Sequence, residues 1–292
     1  MQMAHKTTVF IFVEGQSIDP YFYGEICEPL LADIAYEIVG AWTLGDSGGK
    51  DVLLGFYDYL AATNSLLTTF QGKRLAAIFF LDKDLDDVLH KRRYSDHIVY
   101  TEHYAVENYL FLEGDLARAA AAASSLERRE LVAAIGDQRA WHRSGAEAWR
   151  DWVTLCVFAQ KHDVGTPYNY RRAFSTINNP LDAPPDAATI RHHRELLYGQ
   201  SGMAREQFER ALRAVVRLVD GYYQRDMHDR LFRGKWYVSL LEEQIRRVAD
   251  ERPYTKHALP NQILSALKST LDFSGAWAGH FRVPLEALIA RL

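Results

Sequence analysis

The sequence predicts an α/β fold in which a mainly parallel, Rossmann-like sheet is followed by a mostly α-helical second half. Two observations lead to this prediction. Short apolar runs alternate with helical periodicity in residues 1–113, and no comparable strand pattern returns in residues 114–292. Strands that alternate with helices favour parallel pairing through right-handed crossovers. We therefore expect an α/β domain over 1–113 and a helical domain over 114–292.

Four runs of β-branched, aromatic and other apolar residues indicate the strands of the first domain. They cover residues 7–13, 34–42, 75–81 and 98–100. Apolar residues at helical spacing indicate one helix after the first strand and another after the second. Ser17 or Asp19 is a candidate N-cap of the first helix, with Pro20 in its first turn. Lys50 stands at the entrance of the second helix, after a glycine-containing turn that lacks the spacing of a Walker A motif. We interpret it as an ordinary helix entrance that could still offer its amides and Lys50 to a phosphate.

Helical periodicity dominates the remainder of the chain. Helices are expected over residues 102–110, 116–135, 141–160, 208–223, 227–248 and 261–271, with an interruption near residues 233–236. The proline-rich stretch 163–189 is expected to be a loop-rich connector. The pair His192-His193 has no partner at metal-ligand spacing and is expected at the surface.

Length and composition describe an ordinary globular protein. The chain has 292 residues, 48% of them hydrophobic, which is enough to bury a large core. The apolar run near the N-terminus is short and ends at Glu14, so we expect neither a signal peptide nor a membrane span, and a cytoplasmic location. Cys27 and Cys156 form no Cys-x-x-Cys pair and are expected to be buried thiols.

The net charge of −4 is unevenly distributed along the chain. Counting charged side chains gives −9 for residues 1–190 and +5 for residues 191–292. Such an asymmetry suggests a carboxylate-rich metal site served by a cationic surface for phosphates. Solvated helix faces produce the same asymmetry, so this interpretation stays open.

Four carboxylates follow the third predicted strand within six residues, namely Asp82, Asp84, Asp86 and Asp87. Ligands of open α/β sheets bind at the C-terminal ends of the strands. In an extended backbone Asp82 and Asp84 point the same way and can face one cation. This arrangement suits Mg²⁺.

Other interpretations of the acidic stretch are weaker. An EF-hand loop that begins at Asp82 needs Gly at its sixth position and Glu at its twelfth, where this chain has Asp87 and Arg93. A haloacid-dehalogenase phosphatase carries its Asp-x-Asp on the first strand, with Thr or Val where this chain has Asp86. A solvated acidic turn after the strand remains an open alternative.

Two motifs together resemble a known family. Val13-Glu14-Gly15-x-Ser17-x-Asp19 closes the first strand, and Leu81-Asp82-Lys83-Asp84 closes the third; in this order they resemble the TOPRIM domain of topoisomerases, primases and OLD-type nucleases. Glu107-Asn108-Tyr109-Leu110 and Arg233-Gly234-Lys235-Trp236 are similar to stand-alone TOPRIM proteins with a helical second half, which include the nuclease effectors of PARIS-type anti-phage defence. The resemblance covers residues 7–112 and extends further only through the Arg-Gly-Lys stretch and the architecture.

The resemblance implies roles for particular residues. Glu14 is implied as a general acid/base or metal ligand, and Asp82 and Asp84 as ligands of Mg²⁺, with Mn²⁺ as a substitute. Asp19, with Glu107 or Asp86, is implied to complete a second metal site. The cationic residues expected to contact nucleic acid are Lys50, Lys83, Arg233 and Lys235.

Structural alternatives accompany several of these roles. Asp19 is also a candidate helix cap, and Glu107 and Asn108 are candidate caps of their own helix. Arg233 and Lys235 could equally form salt bridges on a helix face. For Glu14 a structural role is harder to find, because a carboxylate that ends a buried strand must be paired, solvated or bound to a ligand.

The function implied by the resemblance is a Mg²⁺-dependent nuclease, with tRNA favoured over other RNA and over DNA. Such an effector is restrained by an ABC-type ATPase partner, is released by phage infection and is a homodimer when active. The alternative is a catalytically silent binding module that docks on an ATPase or a nucleic acid. Topoisomerase and primase activities are less expected, because the first needs a dedicated tyrosine in a further domain and the second usually brings a zinc module.

Overall fold

The computed structural model describes residues 7–45, 48–166, 169–170, 183, 185–250 and 259–292. Within these ranges five strands form one sheet: β1 (Val9–Val13), β2 (Tyr36–Gly40), β3 (Leu67–Phe70), β4 (Lys73–Leu81) and β5 (Ile98–Tyr100). The order is β2-β1-β4-β3, and β5 also pairs with β4. β1, β2, β4 and β5 are parallel and β3 is antiparallel, so the expected mainly parallel sheet is confirmed.

β4 is the central strand. Along one edge its residues 76–80 pair with β1. The other edge is shared, since β3 pairs with residues 73–76 and β5 pairs with residues 79–81. A strand of nine residues is long enough for both partners. Every residue of β4 after Arg74 is buried, which confirms the expected strand covered on both faces.

The hairpin of β3 and β4 was not expected from the sequence. Its two turn residues, Gln71 and Gly72, have φ values of 50° and 76°. Two successive positive φ values are typical of a type I′ turn, whose twist matches that of the flanking strands. Gln-Gly is a weaker signal for this turn than Asn-Gly or Asp-Gly, and β3 is only four residues long.

Helices cover both faces of the sheet. They are α1 (Asp19–Cys27), α2 (Lys50–Ala62) and α13 (Gly279–Ile289). The ring of Tyr23 in α1 stacks on Phe80 with centroids 4.6 Å apart, whereas Tyr57 in α2 meets Phe79 edge-on at 5.6 Å. Phe79 and Phe80 are consecutive in β4 and therefore point to opposite faces. α1 and α2 consequently lie on opposite sides of the sheet.

The chain divides into two compact units that are not contiguous in sequence. The first comprises Met1–Lys83, Arg92–Glu102 and Asp272–Leu292; the second comprises Asp84–Lys91 and His103–Leu271. This division differs from the expected boundary after residue 113. One reason is that α13 packs on the sheet and on α1, where the ring of Phe281 lies 6.0 Å from that of Phe80 and 5.6 Å from that of Tyr23.

The second unit is helical, as expected for this part of the chain. Its helices are α3 (Asp86–Leu89), α4 (Val106–Glu113), α5 (Leu116–Ser124), α6 (Arg128–Ile135), α7 (Gln138–Ala148), α8 (Arg150–Lys161), α9 (Ala187–Ser201), α10 (Arg205–Gln224), α11 (Gly234–Ala249) and α12 (Leu259–Lys268), with a 3-10 turn at His228–Arg230. α4 packs against α11, and α5 packs against α12. The rings of Phe111 and Tyr237 meet at 5.6 Å in the α4–α11 contact.

Several helix predictions need correction. The helix expected over 116–135 is divided into α5 and α6, because Ser125 takes a left-handed conformation with φ 62°. The helix expected over 141–160 is divided into α7 and α8 at the buried Trp149. α9 was not expected; Asp186 caps it by accepting a hydrogen bond of 2.6 Å from the amide of Thr189. Most of the connector expected over 163–189 lies outside the described residues.

Burial settles three smaller expectations. Cys27 and Cys156 are buried free thiols, as predicted. His193 is buried against Trp152, with ring centroids 4.6 Å apart, so its predicted surface position is wrong, whereas His192 is exposed. No helix in the described ranges has the length and apolar character to cross a lipid bilayer.

Candidate functional site

The sheet brings the ends of β1 and β4 to one edge. The two strands are parallel neighbours, and Val13 pairs with Phe80. Glu14 follows Val13 directly, and Asp82 follows Leu81, the last residue of β4. Both acidic side chains are half-buried, and Oε2 of Glu14 is shielded from solvent. The prediction that the strands before Glu14 and Asp82 are adjacent is confirmed.

Asp19 is linked to the turn that carries Glu14. It is the first residue of α1 and is 6% exposed. The helix is preceded by Ile18, which makes no side-chain cap, so neither Ser17 nor Asp19 is the expected N-cap, while Pro20 does lie in the first turn. Instead, Oδ2 of Asp19 accepts a hydrogen bond of 2.6 Å from the amide of Gly15. The assignment of Asp19 to a second metal site stays a prediction.

The backbone does not remain extended through the Asp-x-Asp motif. β4 ends at Leu81, and Asp84 has a left-handed φ of 49°. The expected extended backbone through Asp84 is therefore wrong, and the expectation that both carboxylates face one cation stays a prediction. The amide of Asp84 donates to the carbonyl of Tyr104 at 2.7 Å, which holds the turn in place.

Lys83, which stands between Asp82 and Asp84 in the sequence, is buried. It is 2% exposed, and its amide donates to Oγ1 of Thr101 at 2.8 Å. A lysine at this exposure does not lie at the surface, where the sequence suggested a contact with nucleic acid. Asp86 and Asp87 are half-buried in the first turn of α3, where negative side chains interact favourably with the positive end of the helix dipole.

The two motifs that suggested a particular TOPRIM group contact each other. Nζ of Lys235 lies 3.3 Å from Oε1 of the buried Glu107. A Cβ added to Gly234 would lie 2.5 Å from the amide nitrogen of Asn108, so only glycine allows this approach. The Arg-Gly-Lys stretch thus has a packing role against the start of α4, and the expected salt-bridge alternative for Lys235 is present.

Asn108 is the centre of this contact and is fully buried. Its Oδ1 accepts from the amide of Ala105 at 3.1 Å, which caps α4 as the sequence suggested. Its Nδ2 donates to the carbonyl of Phe232 at 3.0 Å. Arg233 in turn donates to the carbonyl of Tyr170 at 2.5 Å, so its guanidinium has a partner in the helical unit.

A second polar cluster in the helical unit was not predicted. Within the described residues, one group of three His, Cys, Asp or Glu donors has its ligand atoms within 4.8 Å of one another: His142, His228 and Asp229. Nε2 of His228 lies 3.4 Å from Nδ1 of His142 and 3.3 Å from Oδ2 of Asp229. Nε2 of His142 lies 3.3 Å from Oδ1 of Asp229. All three residues are buried.

Burial dominates the electrostatics of this cluster. It raises the pKa of Asp229 to about 7, against the effect of hydrogen bonds from Tyr237 and Asn108. It lowers the pKa of His142 well below 6.5, and the neighbouring His228 adds to that effect. Burial also lowers the pKa of His228, which Asp226 opposes. Both imidazoles therefore favour the neutral form, which keeps a nitrogen lone pair available.

This cluster has almost no signal in the sequence. His142 lies in the middle of α7, and His228 and Asp229 follow 86 and 87 positions later in a 3-10 turn. Metal-binding histidines are usually recognised by short spacings, which are missing here. The adjacent pair His228-Asp229 is the one local signal, and a lone His-Asp pair is common without any site.

The chain matches no family model and no curated protein in the comparisons with known proteins. The TOPRIM resemblance therefore continues to depend on the motifs at Glu14 and Asp82 and on the sheet that positions them. Of the predicted site residues, the sheet brings Glu14 and Asp82 to one edge. Within the helical unit, Glu107 and Lys235 form an ion pair with each other.

Proposed function

We propose that the chain is a nuclease that cleaves phosphodiester bonds with Mg²⁺, using Glu14, Asp82 and Asp84. The observation that supports it best is the pairing of β1 with β4, which places the strand ends before Glu14 and Asp82 at one edge of the sheet. Ligands of open α/β sheets bind outside the C-terminal ends of the strands. Asp84 follows Asp82 by two residues and is the third acid of the motif.

The available donors fit Mg²⁺. This ion prefers hard oxygen ligands and is usually held by one or two carboxylates while it keeps several waters. Glu14 and Asp82 are half-buried, so their carboxylates combine partial shielding with access for water and a phosphate. When bound, Mg²⁺ or Mn²⁺ polarises a phosphoryl oxygen and activates a water nucleophile.

Glu14 has the position of a proton-transfer group as well as of a ligand. Its Oε2 is shielded from solvent, and the residue directly follows β1 at the C-terminal end of the strand, where ligands of open α/β sheets bind. A carboxylate in this position can receive the proton of an attacking water. Asp19 acts indirectly, because its hydrogen bond to Gly15 fixes the turn directly after Glu14.

Lys50 supports phosphate binding in the same unit. It is the first residue of α2, a helix of 13 residues that starts after Gly49, whose φ is 85°. Helix N-termini present unsatisfied amides and a positive dipole end, both of which favour phosphate. The lysine ammonium adds a positive charge at this end of the helix.

The helical unit contributes a cationic surface. Arg210, Arg213 and Arg217 are exposed on α10 and follow one another at spacings of three and four residues, which places them on one face of the helix. A stripe of arginines on one helix face is typical of binding to a nucleic-acid backbone. This stripe accounts for part of the positive balance of residues 191–292.

Substrate and partners follow from the TOPRIM resemblance. We propose RNA as the substrate class, with tRNA favoured, and a role as the toxic effector of anti-phage defence. An ABC-type ATPase partner would restrain the nuclease, and the active form would be a homodimer. A catalytically silent module that docks on an ATPase or nucleic acid is the second candidate, and the arginine stripe of α10 is equally compatible with it.

The test is a cleavage assay with total tRNA and plasmid DNA, with Mg²⁺, with Mn²⁺ and with a chelator. It is run with the purified chain alone and with its genomic neighbour, since a partner can restrain or release activity. We compare Glu14→Gln and Asp82→Asn with Glu37→Gln, which changes a half-buried acid in β2. The first two variants should lose at least about a hundredfold in rate, and the third should cleave normally.

The outcomes separate the two candidates. Equal cleavage rates for wild type and Glu14→Gln would show that the assignment of the site to Glu14 is wrong. If the chain is instead a silent binding module, we expect no cleavage that depends on divalent ions, either with the chain alone or with its genomic neighbour. We also expect Asp82→Asn to leave the affinity for the partner unchanged. Circular dichroism of each variant checks that the fold is retained.

A further inference from the structure

We infer that His142, His228 and Asp229 bind a transition-metal ion inside the helical unit, with Zn²⁺ as the best-fitting ion. The site is separate in residues and in chemistry from the acids of the proposed nuclease. Imidazole nitrogens suit Zn²⁺ and related transition metals, whereas Mg²⁺ takes oxygen ligands. This inference therefore goes beyond the proposed function and does not depend on it.

The donor separations fit a tetrahedral ion. Donor atoms of a tetrahedral zinc site with bonds of about 2.0–2.1 Å lie about 3.3–3.4 Å from one another. Nε2 of His228 lies 3.4 Å from Nδ1 of His142 and 3.3 Å from Oδ2 of Asp229. Two edges of the ligand triangle thus have the length that coordination requires. Either nitrogen of His142 reaches the group, since Nδ1 faces His228 and Nε2 faces Asp229.

One buried nitrogen of the cluster lacks a hydrogen bond from the rest of the described chain. His142 is 2% exposed, and among the described residues its Nε2 has no hydrogen-bond partner, although Oδ1 of Asp229 lies 3.3 Å away. A buried polar atom without a hydrogen bond destabilises the folded protein. A cation bound at Nδ1 of His142 requires the ring proton to be on Nε2, which faces Oδ1 of Asp229, and the same cation neutralises the buried carboxylate.

The surrounding residues orient the three ligands. Tyr237 donates from its hydroxyl to Oδ1 of Asp229 at 3.0 Å, and Nδ2 of Asn108 lies 3.4 Å from the same oxygen, which leaves Oδ2 toward His228. The ring of Tyr237 also stacks on His142 with centroids 3.7 Å apart. Partners of this kind fix ligand orientation in metal sites and are often as important as the ligands.

His228 has the arrangement of a histidine that binds metal through Nε2. Its Nδ1 lies 3.6 Å from Oδ1 of Asp226, while its Nε2 faces the cluster. A carboxylate beside the distal nitrogen favours the tautomer with the proton on Nδ1 and raises the basicity of Nε2. Asp226 is 66% exposed in its side chain, so it can be changed with little effect on packing.

A metal here would connect separate parts of the helical unit. His142 belongs to α7, and His228 and Asp229 belong to the 3-10 turn before α11. The same turn is tied to the start of α4, because the carbonyl of Asp229 accepts from the amide of Tyr104 at 2.7 Å. Coordination would therefore stabilise the folded helical unit, as structural zinc does in other proteins.

The test measures Zn²⁺ binding and thermal stability of the full chain. Protein stripped with a chelator is titrated with Zn²⁺ against a chromophoric competitor, and Co²⁺ is used to report tetrahedral geometry through its visible spectrum. The variants are His142→Gln and Asp226→Asn, with His193→Gln as the control because His193 is also buried in the helical unit but lies outside the cluster. Glu14→Gln is included to separate this site from the nuclease acids.

We expect one Zn²⁺ per wild-type chain and a higher unfolding temperature with Zn²⁺ than with the chelator. His142→Gln and Asp226→Asn should weaken binding by at least about tenfold, while His193→Gln and Glu14→Gln should bind as wild type does. The inference is overturned if wild type takes up no stoichiometric Zn²⁺, or if His142→Gln and His193→Gln bind equally. If His142→Gln fails to fold, Asp226→Asn and the wild-type shift in unfolding temperature decide.

Discussion

The amide of Gly15 donates a hydrogen bond of 2.6 Å to Oδ2 of Asp19. This contact closes the turn between β1 and α1 directly after Glu14. A Cβ added to Gly15 would lie 2.6 Å from Oδ1 of Asp19. A side chain at position 15 would therefore force the Asp19 carboxylate to move, whereas the backbone of Gly15 itself is not in the left-handed region.

Replacing Gly15 with alanine should destabilise the protein by about 0.5–1.5 kcal/mol, because the added methyl group pushes the Asp19 carboxylate aside and its hydrogen bond to the turn is lost. The proposed nuclease activity should fall with it, since the turn carries Glu14. Urea unfolding of Gly15→Ala, Asp19→Ala and the double variant measures the coupling. Gly15→Ala should lower the free energy of unfolding much less in a protein that already carries Asp19→Ala. Strictly additive effects would show that the clash is not the cause.

Replacing Gly234 with alanine should destabilise the protein by about 1–3 kcal/mol or more, because a Cβ there would lie 2.5 Å from the backbone nitrogen of Asn108. Backbone cannot move aside as the end of a flexible side chain can. The matched control is Gly221→Ala in α10, where an added Cβ meets nothing within 4 Å. That change should stabilise the protein by about 0.5–1 kcal/mol through helix propensity. Equal unfolding free energies for the two variants would contradict the proposed close approach.

The pair of Lys235 and Glu107 should contribute about 1 kcal/mol or less, because the lysine side chain is 54% exposed and solvent screens the interaction. A double-mutant cycle with Lys235→Met and Glu107→Gln, measured at low and high salt, tests this expectation. The coupling should shrink as salt increases. If Lys235 also contacts nucleic acid, Lys235→Met will weaken RNA binding while Glu107→Gln leaves it intact. Equal RNA binding by all variants would limit Lys235 to the structural role.

Burial raises the pKa of the Cys27 thiol to about 12 and also raises that of Cys156. The folded protein should therefore react very slowly with thiol reagents at pH 8, and both thiols should react at once in denaturant. Because the folded pKa is raised above the ordinary value near 8.5, the stability contribution is complete below about pH 8.5 and is lost as pH rises toward 12. Modification rates measured from pH 7 to 10 check the prediction. Rapid labelling of native protein at pH 8 would show that the thiols are accessible.

The fold class could be predicted from the sequence because its strongest signals are local. The apolar run that ends at Leu81 is long enough to be a central strand and too uniformly apolar to face water. Helical periodicity likewise identified α10, whose buried residues recur every three or four positions. The hairpin at Gln71-Gly72 was missed because Gln-Gly is a weaker signal for a type I′ turn than Asn-Gly or Asp-Gly. α9 was missed because its buried positions are few.

The candidate acids were predicted by type and by chain position, but their surroundings were not. That Glu14 and Asp82 share a sheet edge follows from the parallel pairing of alternating strands, which the sequence predicts. That Asp84 leaves the extended conformation, that Lys83 is buried and that Asp19 bonds to Gly15 depend on contacts with residues distant from the motif or on a tight turn. Local patterns carry no information about such contacts.

The sequence by itself determined the alternating strands and helices, the acids that end β1 and β4, and the buried thiols, because each is expressed in periodicity or composition over a few neighbouring residues. Only the tertiary structure decided that α13 packs on the sheet, that Gly234 lies against Asn108 and that His142 meets His228 and Asp229. These relations join residues up to hundreds of positions apart. They depend on how whole helices pack, which local residue preferences do not encode.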